Sequence, residues 1–302
     1  MTHGKQVAFR LGVVGVLALA LVAAQLPPEA YQAEIQKWRE DRETRLKSDT
    51  GWLTVVGLFW LKDGENRFGS DRKVCDVVLP PTAPPVVGDF VLQGGKIVVK
   101  VQSGATVTSA GAAVTEMEMK PDSAGEPTIL ALGDFSMFVI ERGGKYAIRV
   151  KDKNSKMRKD FTGLKWYAVK PEYRITAHFT PYEPAKPIAI PNILGQKENL
   201  ASPGYVTFTL AHKKIRLEPV LEDPDAKELF FIFKDLTAGE TTYPSGRFLY
   251  ADLPVEGKVV LDFNRAYNPP CAFTPYATCP LPPPQNKLGI RIEAGEQSYG
   301  HH

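Results

Sequence analysis

Four polar residues near the end of the chain combine the side chains that binding or catalysis requires: Asp262, Asn264, Arg265 and Asn268. A carboxylate acts as a general base when its surroundings raise its pKa. Arginine binds anionic groups through paired N–H donors, and asparagine both donates and accepts hydrogen bonds. Arg247, on the preceding predicted strand, adds a cation that we expect to pair with Asp262. Together these residues predict one polar site.

Three functions are open for this site, and the first is binding of a small polar or anionic ligand. In that case Arg247 and Arg265 supply positive charge. Asn264 and Asn268 supply hydrogen bonds, and Tyr276 forms a wall of the pocket.

The second function is hydrolysis, with Asp262 as general base. An arginine next to Asp262 lowers the pKa of the carboxyl, so the predicted Arg247–Asp262 pair argues against this role. The third is a structural or interaction protein of the cell envelope. There, the pair is structural and the asparagines cap a turn.

The polar site lies where a predicted strand enters a proline-rich loop, residues 261–287. Alternate residues are apolar over 259–263 and again over 288–292, which predicts a half-buried strand on each side of the loop. The loop holds seven prolines and two cysteines and has few charges. Long loops of this kind are functional or disordered, and this composition argues against disorder. We therefore expect a rigid loop that builds a site or a lid.

The predicted strands also orient the polar residues. Asp262 and Asn264 share one face, because successive side chains of a strand alternate. The short connection at 252–257 predicts that the strand of Arg247 pairs antiparallel with that of Asp262. Removal of Asp262 should then cost about 3–5 kcal/mol if the pair is buried, and within about 1 kcal/mol if it is exposed.

The cysteines predict one disulfide and one free thiol. We expect Cys271 and Cys279 to lie close enough to bridge in an oxidising compartment, and Cys75 to be a separate buried thiol. A cysteine nucleophile needs a histidine, and neither His178 nor His212 lies in a recognisable motif. The sequence contains no fingerprint of a metal site, a nucleotide site or another cofactor site, so we expect none.

The N-terminus has the pattern of a secretory signal peptide over residues 1–24. Lys5 and Arg10 lead into an apolar run that is short for a membrane span, and small residues precede Gln25. We expect cleavage before Gln25 and an exported protein, periplasmic or extracellular, without stable membrane insertion; an uncleaved anchor is the alternative. The net charge of +3 provides no concentrated basic face, which argues against nucleic-acid binding.

The fold class predicted from the sequence is all-β with one N-terminal helix. Residues 25–50 have apolar side chains at helical spacing. Residues 51–150 alternate short strands with glycine turns and predict a small β-sandwich module, in which 51–61 form a strand pair or hairpin. Residues 151–302 predict a larger antiparallel β-barrel or sandwich, with 229–233 as a buried central strand.

Several stretches resemble a bacterial and archaeal family catalogued as domain of unknown function 1684. They are FTGLKWY at 161–167, LFFIFKDLTAGETTYPSGRFLY at 229–250, LDFNRAYNPPCAFTPYATCPLPP at 261–283 and AGEQSY at 294–299. The proline-rich stretch is the most specific, and the resemblance runs from the N-terminal helix to the chain end. It implies no known reaction.

A weaker resemblance links residues 66–115 to the forkhead-associated domain. The stretches that carry it are Gly69-Ser70, residues 76–79 and the Gly94-Gly95 hairpin. The resemblance implies a β-sandwich. Ser70 stands where that family has its phosphate-binding arginine, so phosphothreonine recognition is not implied.

Overall fold

The computed structural model describes residues 28–300. The predicted signal peptide at 1–24, the predicted mature N-terminus at Gln25 and the terminal pair His301-His302 lie outside the described residues.

The N-terminal helix α1 spans Pro28–Lys47 and confirms the predicted helix. Its buried residues recur every three or four positions and therefore form one stripe: Tyr31, Ile35, Arg39, Arg42 and Leu46. The apolar part of this stripe was expected. The two buried arginines were not, and Arg42 contributes to the site described below.

Strands β1–β11 form the first sandwich. Their bounds are β1 Val55–Trp60, β2 Gly64–Gly69, β3 Val77–Val78, β4 Gly88–Gln93, β5 Lys96–Val101, β6 Thr108–Ser109, β7 Ala112–Ala113, β8 Glu116–Met119, β9 Leu130–Leu132, β10 Phe135–Arg142 and β11 Lys145–Asp152. One sheet has the order β1-β11-β10-β9-β6-β7 and the other β3-β2-β4-β5-β8. Both sheets contribute to one apolar core, with Phe68 and Phe90 from one sheet and Met137 and Ile148 from the other.

The second half of the chain adds a short helix and six strands. Their bounds are α2 Lys156–Lys159, β12 Arg174–Pro191, β13 Lys197–Leu210, β14 Lys213–Leu217, β15 Glu228–Phe233, β16 Arg247–Asp252 and β17 Lys258–Asp262. A four-stranded sheet in the order β14-β13-β12-β17 and the two-stranded ladder β15-β16 share a second core. Within residues 28–300 the sheets remain open, so this part is sandwich-like and does not close into a barrel.

Two predicted elements take a different form. The expected strand pair or hairpin at 51–61 is a short 3-10 turn, Trp52–Thr54, followed by the single strand β1. The expected strand at 288–292 is an irregular segment outside any named strand, although Leu288, Ile290 and Ile292 are buried as their alternation predicts. Hydrogen bonds from the Arg247 side chain hold this segment in addition to backbone hydrogen bonds. An alternating apolar pattern is compatible with either kind of support, so it does not show whether the segment is a strand.

The proline-rich loop packs against both halves of the molecule. A disulfide joins Cys271 and Cys279, whose Cα atoms are 6.2 Å apart, as predicted, and Cys75 is a separate buried thiol. Thr274 donates from Oγ1 to the carbonyl of Val55 in the first sandwich (3.1 Å). The N–H of Leu281 donates to the carbonyl of Pro191 at the end of β12 (2.7 Å). The loop therefore lies at the junction of the two halves.

None of the helices in the described part of the chain combines the length and the apolar character of a membrane span.

Candidate functional site

The prediction that Arg247 pairs with Asp262 is wrong, because the strands of the two residues belong to different sheets. Strand β16, which begins at Arg247, pairs with β15, whereas β17, which ends at Asp262, pairs with β12. Arg247 is 1% exposed. It donates from Nη2 to the Ile292 carbonyl (2.9 Å) and to Asp235 (3.4 Å), and from Nη1 to the Ala294 carbonyl. Arg247 thus anchors the irregular segment after the loop.

Asp262 instead docks helix α1 onto the second half of the chain. Tyr31 on the helix donates from Oη to Asp262 Oδ1 (2.8 Å), and the Asn264 side chain donates to Tyr31 Oη (2.9 Å). Two arginines approach Asp262 Oδ2 without hydrogen bonding: Arg265 at 3.8 Å and Arg174 at 4.0 Å. The predicted proximity of Asp262 and Asn264 is observed, and the residue that joins them is a helix tyrosine.

The environment of Asp262 predicts a pH dependence of stability. Burial raises the pKa of this carboxyl above 3.8, although hydrogen bonds from Tyr31 and Asn264 oppose the rise. The folded protein therefore binds more protons here than the unfolded chain, so stability falls as pH rises from 3.8 to the raised value. We expect Asp262→Asn, measured by denaturant unfolding, to gain stability relative to the parent over that interval.

Asp76 provides a control of opposite sign. The hydrogen bond from Lys62 lowers the pKa of the Asp76 carboxyl, so its contribution to stability is lost as pH falls below 3.8. Asp76→Asn should therefore lose stability relative to the parent as pH rises through that lower interval. If the stability difference from the parent changes with pH in the same direction for both variants, this assignment of charge states is contradicted.

A cavity of about 760 Å³ lies beneath the proline-rich loop, between helix α1, the outer face of the β15-β16 ladder and the loop. Its wall is rich in aromatic rings and arginines: Trp38, Arg42, Arg45, Trp52, Phe230, Phe248, Tyr250, Arg265, Tyr267, Asn268 and Phe273. Glu222 and Glu228 add acidic groups. Ligand sites are commonly concavities of this size with mostly apolar walls and a few polar groups.

A buried ion pair supports the helix side of this cavity. Arg42 donates from Nε to Glu296 Oε2 (2.5 Å) and from Nη2 to the Asn268 carbonyl (3.0 Å). Its guanidinium also lies over the Tyr267 ring, 4.3 Å from the centroid. The Glu296 side chain is fully buried, and 10% of the Arg42 side chain remains exposed. Arg42 is therefore held rigidly where it lines the cavity.

Two polar atoms of the cavity wall are buried without a hydrogen-bond partner among residues 28–300. One is an acceptor, Asn268 Oδ1, and the other is a donor, Arg265 Nε, which faces the Asp262 carboxylate at 3.8 Å. The orientation of the Asn268 amide is set by its Nδ2 group, which donates to the Gln297 carbonyl (2.7 Å). Unsatisfied buried polar atoms are rare and require an explanation, such as a bound molecule.

Aromatic rings form the opposite wall. Phe230 and Tyr250 stack at 4.8 Å between centroids, and Tyr250 and Tyr267 are nearly parallel at 6.3 Å. Tyr250 donates from Oη to Glu222 (2.7 Å). Burial raises the pKa of Tyr267 to about 12 and also raises the pKa of Tyr250. Both phenols are therefore neutral at physiological pH.

The structure separates the six predicted site residues into two pairs and two single residues. Arg265 and Asn268 line the cavity, whereas Asp262 and Asn264 lie in the helix-docking network. Arg247 belongs to a separate buried cluster, and Tyr276 is 37% exposed and not part of the cavity wall.

The helix residues and tyrosines of the cavity were not predicted from the sequence. Trp38, Arg42 and Arg45 recur every three or four residues on α1, and Arg42 falls on the same stripe as its buried apolar residues. An arginine within an apolar stripe was the signal that could have revealed them. Tyr250 and Tyr267 carried no comparable signal, because the tertiary structure brings them together.

Comparison with known proteins confirms the family resemblance for the second half of the chain. Residues 159–297 match the model of a family described as "Protein of unknown function (DUF1684)". The predicted extension to the N-terminal helix lies outside the matched residues. The solution NMR structure of an uncharacterised protein from Haloarcula marismortui is similar at 29% identity, over 46% of this chain and 78% of that chain, with a TM-score of 0.40. No curated protein matches. The forkhead-associated resemblance stays a prediction.

Proposed function

Residues 159–297 match a family of unknown function, and we propose, from the geometry of the cavity, that this protein binds a small polar ligand that carries a flat ring. One observation carries the proposal: an acceptor without a hydrogen-bond partner, Asn268 Oδ1, is buried in the wall of an aromatic cavity that Arg265 also lines. A ligand that offers a hydrogen-bond donor satisfies this atom.

The cavity wall supports the ring of this ligand. Trp38, Trp52 and Tyr267 present aromatic surface in the cavity, and flat rings gain stacking energy against such walls. The exposed edge of Arg42 adds hydrogen-bond donors for a carboxylate, a phosphate or another anionic group on the ligand. The volume of about 760 Å³ suits a molecule of one or two rings.

The geometry favours binding over hydrolysis. Asp262, the predicted general base, does not line the cavity, and its carboxylate accepts hydrogen bonds from Tyr31 and the backbone of Asn264. A general base must reach the proton that it removes. A purely structural role does not explain a buried polar atom without a partner in the cavity wall. If the protein binds no small molecule, a structural or interaction role is favoured.

We expect native mass spectrometry of the purified parent protein to detect a bound small molecule. Asn268→Ala and Trp52→Ala should each weaken the affinity for this molecule about 5- to 30-fold and so lower its occupancy, because each removes a contact of the order of 1–2 kcal/mol. Trp60→Ala is the matched control, since Trp60 is 37% exposed and lies outside this cavity.

Two outcomes contradict the proposed function. One is a parent protein that carries no ligand and that no member of a library of ring-bearing polar molecules occupies. The other is a ligand that both cavity variants retain at parental occupancy.

We further propose that the protein is exported to the periplasm or beyond. The signal-peptide pattern at residues 1–24 supports this, and so does the Cys271–Cys279 disulfide, because disulfides persist mainly in oxidising compartments.

A further inference from the structure

Strand β11 carries a buried arginine on the face that points away from the first core. Ile148 and Val150 belong to that core, so Arg149 and Lys151 point to the opposite face. Arg149 is only 4% exposed. Its Nε and Nη2 atoms are buried and have no hydrogen-bond partner among the residues that the structure describes.

The two unpaired nitrogens lie on the same edge of the guanidinium. The N–H groups of Nε and Nη2 are parallel in an arginine, and this fork matches two oxygens of an oxyanion. Because neither Nε nor Nη2 of Arg149 has a hydrogen-bond partner among the described residues, both donors of this fork are available to an oxyanion.

A second cation accompanies Arg149. Lys151 Nζ lies 5.4 Å from the centroid of Phe138, and the Arg149 guanidinium lies 5.8 Å from the same centroid. Arg149 also lies over the ring of Trp52 (5.0 Å), and Lys151 donates to the carbonyl of Thr50 (2.5 Å). The segment 50–52 thus covers both cations, and it also lines the cavity described above.

No carboxylate in residues 28–300 forms an ion pair with either cation. Arg142 and Asp122 act on the charge of Arg149 in opposite directions, and they bind each other through two hydrogen bonds of 2.8 and 3.0 Å. Burial lowers the pKa of Arg149 to about 10 and that of Lys151 to about 8. A buried cation without a counterion is costly, so an anion at this place is strongly favoured.

We propose that an inorganic oxyanion, phosphate or sulfate, binds between Arg149 and Lys151 beneath the segment 50–52. The fork of Arg149 holds two oxygens, and Lys151 holds a third. Arg149 is not part of the cavity wall, so this site is distinct from the proposed ligand site. Because Nε and Nη2 are enclosed, the proposed occupant is an oxyanion without an organic substituent.

The test compares the thermal unfolding midpoint of the protein in phosphate or sulfate with its midpoint in sodium chloride at the same ionic strength. We expect both oxyanions to raise the midpoint of the parent and glycerol phosphate not to raise it. Arg149→Met should remove the rise, while its own midpoint in chloride equals or exceeds that of the parent, since a hydrophobic residue replaces an unpaired charge. Lys151→Met should weaken phosphate binding, measured by calorimetry, about tenfold.

Lys100→Met is the control, because Lys100 is exposed on the other sheet, and it should keep the full rise. The proposal is overturned if phosphate raises the midpoint of the parent no more than chloride does, or raises that of Arg149→Met equally. The proposal is also overturned if phosphate no longer raises the midpoint of Asn268→Ala but still raises that of Arg149→Met, because the anion then occupies the cavity. If Arg149→Met does not fold, Lys151→Met decides: binding of phosphate at parental affinity contradicts the proposal.

Discussion

Arg247→Met should lower the free energy of unfolding by about 3–5 kcal/mol. The parent side chain is 1% exposed and donates hydrogen bonds to Asp235 and to the carbonyls of Ile292 and Ala294. Methionine fills a similar volume and donates none of them. The substitution leaves Asp235 as a buried charge without its cation and leaves two carbonyls unsatisfied, and such groups carry the full cost of desolvation.

Denaturant unfolding followed by circular dichroism measures this loss. Arg67→Met is the control, because Arg67 forms a partly exposed ion pair with Asp89 (3.3 Å), and its removal should cost within about 1 kcal/mol. Equal losses for the two variants would show that Arg247 does not anchor the segment after the loop. A local effect should also appear as faster hydrogen exchange at the N–H of Ile292, which donates to Asp235 (2.6 Å).

Glu296→Ala should cost a similar amount, about 3–5 kcal/mol, and should also impair the cavity. Glu296 is the buried partner of Arg42, and its removal leaves that guanidinium without a counterion. Because Arg42 lines the cavity, its relaxation toward solvent should reduce occupancy by the ligand of the proposed function.

A double substitution separates loss of charge pairing from loss of packing. Arg42→Met combined with Glu296→Met removes both charges, so it should be more stable than Glu296→Ala alone, because no uncompensated charge remains. Asp89→Ala, which breaks the partly exposed pair with Arg67, is the control and should stay within about 1 kcal/mol of the parent. A double variant no more stable than Glu296→Ala contradicts the assignment of the cost to the unpaired Arg42.

The sequence by itself determined the features that depend on neighbours along the chain. The alternation of apolar residues predicted strands β4, β5, β10 and β11, and paired glycines predicted the turns that join them. These predictions succeeded because side-chain alternation and positive-φ turns are local properties of the backbone. The continuous apolar run at 229–233 likewise predicted β15, which is buried at every position of that run. The Cys271–Cys279 bridge followed from a short, stiff loop.

Only the tertiary structure decided which elements became neighbours. The short connection at 252–257 suggested that β16 pairs with β17, yet β17 adds to the edge of β12, far away in sequence, and Arg174 lies opposite Asp262. The partners of Asp262 and Arg247 changed accordingly, to Tyr31 and Asp235. A polar side chain is satisfied by whichever donor or acceptor the fold brings within reach, and sequence spacing does not encode that choice across separate sheets. The cavity depends on the same long-range packing, because its wall combines a helix, two strands and a loop that meet only in the folded chain.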